Sequence, residues 1–497
     1  MMNESINRMK KTTLLLALIL QNVLSAYSYP SSTVVTLGDS VEMSLSEIIA
    51  LGLPVMDVET VNHEEPTCDY VSAPSGSMGA SIANATKVPG RLVIYRWLDG
   101  KDSVIYDSGD YEKDVSGMTI KLRGNTSAYK PKKPYKIKLQ KKFDLLFGGN
   151  DSVYKDKEWL LLCDDYLATM HGFEVSKLVG MQWTPRHHYV NVVINGRYIG
   201  AYLLCESVKR NPDCRLNVDK NTGYIFEFDP YWWNESLYVT SSHHPKYNYT
   251  FKYPDDEDIT EDQLGYMQSL VKKYEKSLTN GTYNNYIDVR SFAAWCLVHD
   301  IMGTKDAGGA NMFYCKYDTT AESKIVMPLA WDFDMAYRTA VYSWSASHID
   351  HMTRLFNSTN RAFTGEFVAA WRSIRSTFIS DATSYMTAFL ESSDGEALNA
   401  SFALDEFIYG RRTVVAEKVD DCNRWIKQRC LWLNAKIRTI CPLGDVNVDS
   451  VVTIDDVTCL IQILLNGDTT KPYADVDENG VVDISDVTAL INILLSN

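Results

Sequence analysis

Hydrophobic positions along the chain follow two periods, and the change between them divides it. From Leu53 apolar and polar residues alternate in LPVMDVET, RLVIYRWLDG and SVIYDSGDY, with Gly and Asp between the runs. That is the pattern of half-buried antiparallel strands. MTIKLRGNTSAYKPKKPYKIKL predicts two more strands joined at a Gly-Asn turn. EWLLLCDDYLATMHGFEVSKLVGM predicts a strand or turn entering an amphipathic helix, and YVNVVINGRYIGAYLLCESV a hairpin on Asn195-Gly196. GYIFEFDPYWW is a further strand. After Thr260 the period lengthens. QLGYMQSLVKKYEKSL, VRSFAAWCLVHDIMG and later segments up to VVAEKVDDCNRWIKQRCLWLNAKIRTI predict helices. Strands first and helices later predict an α+β body over residues 51–440, with a cleft between its halves.

Two flanking regions depart from this body. Residues 1–28 carry Arg8, Lys10 and Lys11, then the apolar run Leu14–Leu20, then small residues around Ala26. This predicts a secretory signal peptide, with an apolar run too short to span a bilayer. The mature chain is therefore expected to be secreted, extracellular or held at the cell surface, with no membrane span. Residues 29–50 form a short lead-in. Export permits disulfides among the ten cysteines, and Cys205/Cys214 and Cys422/Cys430 are the sequence-near pairs. The spacings alone leave free buried thiols equally open.

In the tail, residues 441–497, DVNVDSVVTIDD and DVDENGVVDISD begin at Asp445 and Asp475 and precede near-copies VTCLIQILL and VTALINILL. This is an internal duplication. Oxygen-bearing side chains fall at loop positions 1, 3, 5, 9 and 12: Asp445, Asn447, Asp449, Thr453, Asp456, and Asp475, Asp477, Asn479, Asp483, Asp486. That is the ligand spacing of an EF-hand-like Ca²⁺ loop. Gly480 supplies the sharp turn of the second loop, and Ser450 stands in its place in the first. The tail holds nine Asp and one Glu against one Lys, so most of the net charge of −14 is there. The acidity marks calcium, not a nucleic-acid partner.

The candidate chemistry of the body centres on KDAGGANMFYCKY and IVMPLAWDFDMAYR. Were Trp331–Met335 extended, Asp332 and Asp334 would share one face about 7 Å apart. They would then repel by about 2 kcal/mol at an effective dielectric near 20. A divalent cation would remove that repulsion, and two hydrated acids at a strand end would also account for the pair. Upstream, Arg123, Lys130, Lys132, Lys133, Lys136 and Lys138 crowd two strands. They form either a phosphate-holding face or a solvated basic edge.

The order of LRGNTSAYKPKKPYKIKL, EWLLLCDDYLA, VNVVINGRYIGAYLLCESV, KDAGGANMFYCKY and MPLAWDFDMAY resembles the CotH kinase family of atypical spore-coat and secreted kinase-like proteins. The tail resembles a type I dockerin. The resemblance implies a reduced, protein-kinase-like two-lobed α+β domain followed by a small all-α dockerin. It implies ATP and Mg²⁺ or Mn²⁺ in the body, Ca²⁺ in the tail, an unidentified protein acceptor and a cohesin-bearing scaffold partner. By analogy with protein kinases, Asp306 would orient or deprotonate the acceptor hydroxyl. Asn311 and Asp332 would hold Mg²⁺, with Asp334 a second ligand. Lys136 or Lys133 would neutralise the nucleotide phosphates, with Arg123 and Lys138 beside them, and Glu206 would mark the base end.

The chain departs from that pattern at Thr304-Lys305, where kinases have His-Arg, and at Met170-His171, where many relatives carry Arg-Asn. It has no glycine-rich loop of kinase form. An exported kinase, a non-catalytic adhesin-like binding protein and a polysaccharide-degrading subunit of a cellulosome-type assembly are the three classes left open. Glu227 or Asp229 would be the acid in the last. His187-His188 and His243-His244 lack further ligands at zinc spacing. Tyr231-Trp232-Trp233 suits a stacking surface or burial.

Overall fold

Alternating segments become strands, and the long-period segments become helices. In the computed structural model the described residues are 33–38, 41–149, 151–468 and 471–496. The segment read as a signal peptide lies outside them. In chain order the elements begin β1 (Val34–Leu37), β2 (Val41–Ser44), α1 (Leu45–Ile49), β3 (Val55–Thr60), β4 (Asp69–Ser72) and β5 (Ala80–Ala83). Then come β6 (Val88–Leu98), β7 (Lys101–Asp107), β8 (Met118–Leu122), β9 (Tyr135–Phe143), β10 (Asp156–Leu162), α2 (Ala168–Val179), β11 (His187–Ile194) and β12 (Arg197–Glu206). The chain continues with β13 (Tyr224–Asp229), β14 (Tyr238–Thr240), β15 (Asn248–Tyr253), α3 (Glu261–Asn280), α4 (Val289–Met302), β16 (Met312–Lys316) and β17 (Ile325–Val326). It closes with α5 (Asp350–Phe356), α6 (Ala362–Ile374), α7 (Phe378–Leu390), α8 (Ser393–Tyr409), α9 (Val415–Ile440), α10 (Ile454–Leu465) and α11 (Ile484–Ser496).

The first of two compact units takes the chain up to Met170, then Pro185–Arg215 and Thr387–Asp420. Its sheet runs β10–β9–β8–β6–β3–β11–β12, and β12 returns to β10 through Leu203–Glu206. The ring closes because β12, paired along its length with β11, is long enough to serve two further partners. Its start pairs with β1 and its end with β10. The lead-in is part of this unit: β1, β2 and α1 bury Val35, Leu37 and Ile48 completely. Inside the ring, Ile94, Ile120, Ile137, Trp159, Val192 and Leu204 form one apolar cluster. The Asn195-Gly196 hairpin turn forms as expected, with both residues at positive φ (50° and 71°), as a tight two-residue turn requires. The β8–β9 connection is longer than a Gly-Asn turn. Residues 123–134 fill it and include a short 3-10 turn at Thr126–Tyr129.

The second unit takes His171–Thr184, Leu216–Met386 and the chain from Asp421. Its sheet is β14–β15–β13–β16–β17, all antiparallel. Helix α4 is buried on every side from Phe292 to Met302, as its continuous apolar sequence demands. Gly303, in the left-handed conformation (φ 59°), ends it. The tail also lies in this unit. Val457, Leu460, Val487 and Leu490 pack α10 against α11, while Ile461 and Ile491 stay exposed.

All ten cysteines are free thiols, so neither sequence-near pair is bonded. Cys422 and Cys430 share α9, eight residues or about 12 Å apart, beyond disulfide reach. Among the described residues no helix is long and apolar enough to cross a membrane.

Candidate functional site

The acids of the second unit are tied together through backbone bonds on either side of them. Past Gly303 the chain runs beside the segment after Asp334. Lys305 N donates to Met335 O (3.2 Å), Tyr337 N to Met302 O (2.8 Å) and Thr339 N to Gly303 O (3.2 Å). Asp306 follows directly and is exposed. The loop from Asp306 to Asn311 closes on itself. Asn311, only 7% exposed, donates Nδ2 to Asp306 O at 2.9 Å. Gly309 sits at φ +82°, where a Cβ would lie 3.1 Å from the Tyr247 ring and 3.3 Å from Pro230. Glycine is needed there for both the conformation and the space.

The segment Trp331–Met335 is not the extended strand that the alternation predicts. Asp332 has φ +58°, in the left-handed region, and Ala336 N turns back to Phe333 O (2.9 Å). The alternation of burial survives the turn. Trp331 and Phe333 are buried, and Asp332 and Asp334 are half-buried. Phe333 anchors the turn, stacked on His299 and edge-on to Phe173. It also lies so close to Gly172 that a Cβ there would be 2.3 Å from the ring.

β13 brings a third acid to the same place. It pairs with β16, with Phe228 opposite Met312, and delivers Asp229-Pro230-Tyr231 beside the loop. Asp229 accepts from Tyr231 N (2.7 Å) and Thr250 Oγ1 (3.0 Å). Burial raises the Tyr231 phenol above its ordinary pKa, and the charges of Asp229, Asp306 and Asp332 push it further. Asp306 and Asp332 therefore both disfavour a negative charge on Tyr231, although a glycine loop and two strands separate them in sequence. Neither Tyr231 nor Asp229 was assigned to this centre from sequence; only the FEFDPYWW pattern hinted at them. Glu227, two residues earlier, is an ion-pair partner of Lys252 at 2.8 Å.

The basic residues lie in the first unit. Lys136 Nζ is 2.7 Å from Glu158 Oε2, with Lys138 (3.7 Å) and Lys209 (3.9 Å) around the same carboxylate. Burial opposes the charge of Glu158, but these lysines outweigh it and hold the carboxyl down at about 2. Lys133 donates to the Tyr70 hydroxyl and to Ala128 O, both at 2.7 Å, so only neutral groups hold its charge. Lys132 is the buried lysine, which sequence reasoning passed over in favour of its neighbours. It pairs with Asp405 (2.6 Å) and Asp165 (2.8 Å). Asp405 is 273 residues distant, so no local pattern announced it. Arg123 and Glu206 both act on the Cys205 thiol, which burial pushes up to about 12. Glu206 is fully buried. Its Oε2 accepts from Arg186 N (3.0 Å), while Oε1 lies 4.0 Å from Arg186 Nη1 and makes no hydrogen bond among the described residues.

The two tail loops are built alike. Asp445 accepts from Asp449 N and Ser450 N (2.9 and 2.8 Å), and Asp475 from Asn479 N and Gly480 N (3.1 and 2.9 Å). Asp456 accepts from Val446 N, Asn447 N and Thr453 N, and Asp486 from Val476 N, Asp477 N and Asp483 N. Carboxylate oxygens of Asp475, Asp477 and Asp486 lie within 4.8 Å of one another. Burial, then repulsion from the neighbouring carboxylates, raises Asp445 and Asp475. Hard oxygen donors crowded at mutual cost are what a calcium ion relieves. Ser450 takes the left-handed conformation (φ 77°) that Gly480 takes without strain (φ 90°).

The histidine pairs are held by acids: His188 by Asp394 (3.1 Å), His243 by Glu275 (3.4 Å) and His244 by Asp350 (3.0 Å). Among the described residues, no group of three potential ligands converges at either pair.

Residues 120–381, just over half of the chain, match the family model described as CotH kinase protein. Residues 443–495 match the model of the dockerin type I domain. Comparison with curated proteins returned no match.

Proposed function

Because this chain belongs to the CotH kinase protein family and carries a type I dockerin domain, we propose that it is an exported phosphotransferase. It would bind ATP with Mg²⁺ or Mn²⁺ and phosphorylate Ser or Thr of secreted or surface proteins. The two compact units would be the counterparts of the two lobes of a reduced kinase-like fold. The observation that carries this reading is the Asp306–Asn311 loop, closed by Asn311 Nδ2 on Asp306 O and joined through Lys305 N to Met335 O, next to the turn that holds Asp332 and Asp334.

In the second unit, Asp306 would accept or orient the proton of the acceptor hydroxyl. Its exposure suits contact with another protein. Asn311 and Asp332 would hold the metal, with Asp334 as a further ligand. The bound metal offsets the charge of the phosphate oxygens during transfer. In the first unit, Lys136 would neutralise nucleotide phosphates, with Glu158 holding it in place and Lys138 and Arg123 adding charge. Lys133, satisfied only by neutral partners, is the alternative. Glu206, whose Oε1 makes no hydrogen bond among the described residues and faces only Arg186 Nη1 at 4.0 Å, suits a donor on the nucleotide base.

Type I dockerin domains bind calcium. Here the ten oxygen-bearing side chains of the two loops would be the ligands. The dockerin implies a cohesin-bearing partner, and through it secretion or attachment at the cell surface. Ile454, Ile461 and Leu465 are exposed, as are their duplicates Ile484, Ile491 and Leu495. These are apolar side chains suited to cover by another protein.

A second reading, a scaffold-bound binding protein without transfer, is favoured by two departures from the kinase pattern. Thr304 is turned inward, its hydroxyl on His299 (3.1 Å). His171 is buried with its Nδ1 on the Tyr337 hydroxyl (2.7 Å). Incubation of the full chain and an Asp332→Ala variant with labelled ATP and Mg²⁺ or Mn²⁺ separates the readings. Label transferred by the parent alone supports the kinase, and nucleotide bound without transfer supports the second reading. No nucleotide binding by either protein removes the kinase reading and leaves the second. Glycan depolymerisation that survives Asp332→Ala but is lost in Glu227→Ala would instead identify a polysaccharide-processing subunit.

A further inference from the structure

The dockerin does not hang from a free tether. Only Cys441–Gly444 separate the end of α9 from Asp445, the first residue of the first loop. Cys441 is fully buried, and Arg372 of α6 donates Nη2 to its carbonyl at 3.0 Å and to Pro442 O at 3.3 Å. The other terminal nitrogen of Arg372 donates to Tyr473 O at 3.0 Å, two residues before the second loop. One side chain therefore grips the approaches to both loops.

The loops meet the same helix at equivalent positions. Val448 and Glu478 are each the fourth residue of their loop, and both are left-handed (φ 61° and 59°). Arg361, capping the start of α6, donates Nε to Val448 O at 3.0 Å. Arg375, just past its end, forms an ion pair with Glu478. Between them Gly365 leaves room, since a Cβ there would be 3.5 Å from the Tyr473 ring and 3.6 Å from Val448. The exposed isoleucines and leucines of α10 and α11 take no part in this contact.

We infer that α6 is a docking face for the calcium-filled loops, so that calcium binding in the tail orders α6 and fixes the dockerin on the second unit. The inference rests on calcium occupying the loops and is independent of phosphate transfer. Its physical basis is linkage. Val448 O and Glu478 meet the arginines from loops that are closed through their left-handed fourth residues. Without calcium, the crowded carboxylates of each loop oppose that closure. Whatever α6 contributes to the closed loops is returned as calcium affinity.

Hydrogen exchange of the full chain, with calcium and with a chelator, tests this. Segment 361–375 should exchange about tenfold more slowly with calcium. In Arg372→Met, calorimetry should still show calcium in both loops, at about fivefold lower affinity, with slowed exchange confined to the tail. Arg361→Met combined with Arg375→Met should behave alike if Arg372→Met does not fold. The inference is overturned if segment 361–375 exchanges equally under both conditions. It is equally overturned if the variants keep the full response of α6, or if the chain takes up no calcium. A negative labelled-ATP assay leaves all of these readouts unaffected.

Discussion

Two groups of acids in the second unit are held in place by different means. In the tail loops each carboxylate accepts backbone N–H groups from within its own twelve residues. The charge is dispersed locally, and the geometry travels with the segment. At Asp306 and Asp332 the support comes from elsewhere. Backbone bonds join residues 302–305 to 335–339, Phe333 is wedged on Gly172, and Gly309 fits between Tyr247 and Pro230. The first kind of site is broken by changing its own loop. The second is broken from a distance.

Gly172→Ala is the most forceful way to break the second kind. The new methyl meets the Phe333 ring at 2.3 Å, and the overpacking should cost about 3 kcal/mol. Chemical denaturation should register that loss, while calorimetry still titrates calcium into both loops of the folded fraction. Equal loss of calcium binding would show that the two centres are not separately supported.

The lysine side provides a charge test. The Glu158 carboxyl is held at about 2 against an ordinary value of 4.5. An acid depressed by folding contributes stability that is complete above its ordinary value and is lost as pH falls through the folded one. After discounting for partial exposure, about 2 kcal/mol should disappear between pH 4.5 and pH 2. Lys136→Met should shrink that loss, read from denaturation curves across the range.

Gly309→Ala strains a left-handed residue and presses on Tyr247. It should cost about 1.5 kcal/mol and, under the proposed phosphotransfer, lower labelling from ATP, with calcium affinity unchanged. The smallest effect sharpens the comparison within the tail. Ser450→Gly should relieve about 1 kcal/mol of backbone strain and raise calcium affinity in the first loop about fivefold. The second loop, which already has Gly480, should not respond.

The reach of sequence reasoning follows the same division. The duplicated loops were legible as a dockerin type I domain, because every residue of the pattern lies within twelve residues of the first. The hairpin on Asn195-Gly196 was legible for the same reason. Short-range arguments failed where a distant residue overrode a local pattern. Trp331–Met335 alternates like a strand, yet Asp332 turns left-handed because the wedged Phe333 and the bonds of Lys305 and Tyr337 fix its neighbours. Lys132 looked like one more member of a basic run, and Asp405 made it a buried ion pair. The lead-in became β1 and β2 because the start of β12 had an edge to fill.

By itself the sequence determined the α+β class, the duplicated tail loops, and the order of pieces shared with the CotH kinase and dockerin families. Tertiary structure alone decided that the segments of Asp306 and Asp332 are joined by backbone bonds, that Lys136 is clamped by Glu158, and that the tail loops rest on α6. Periodicity and spacing report forces between residues a few positions apart. Contacts among residues tens or hundreds of positions apart depend on how whole sheets and helices pack, and a linear pattern carries no record of that.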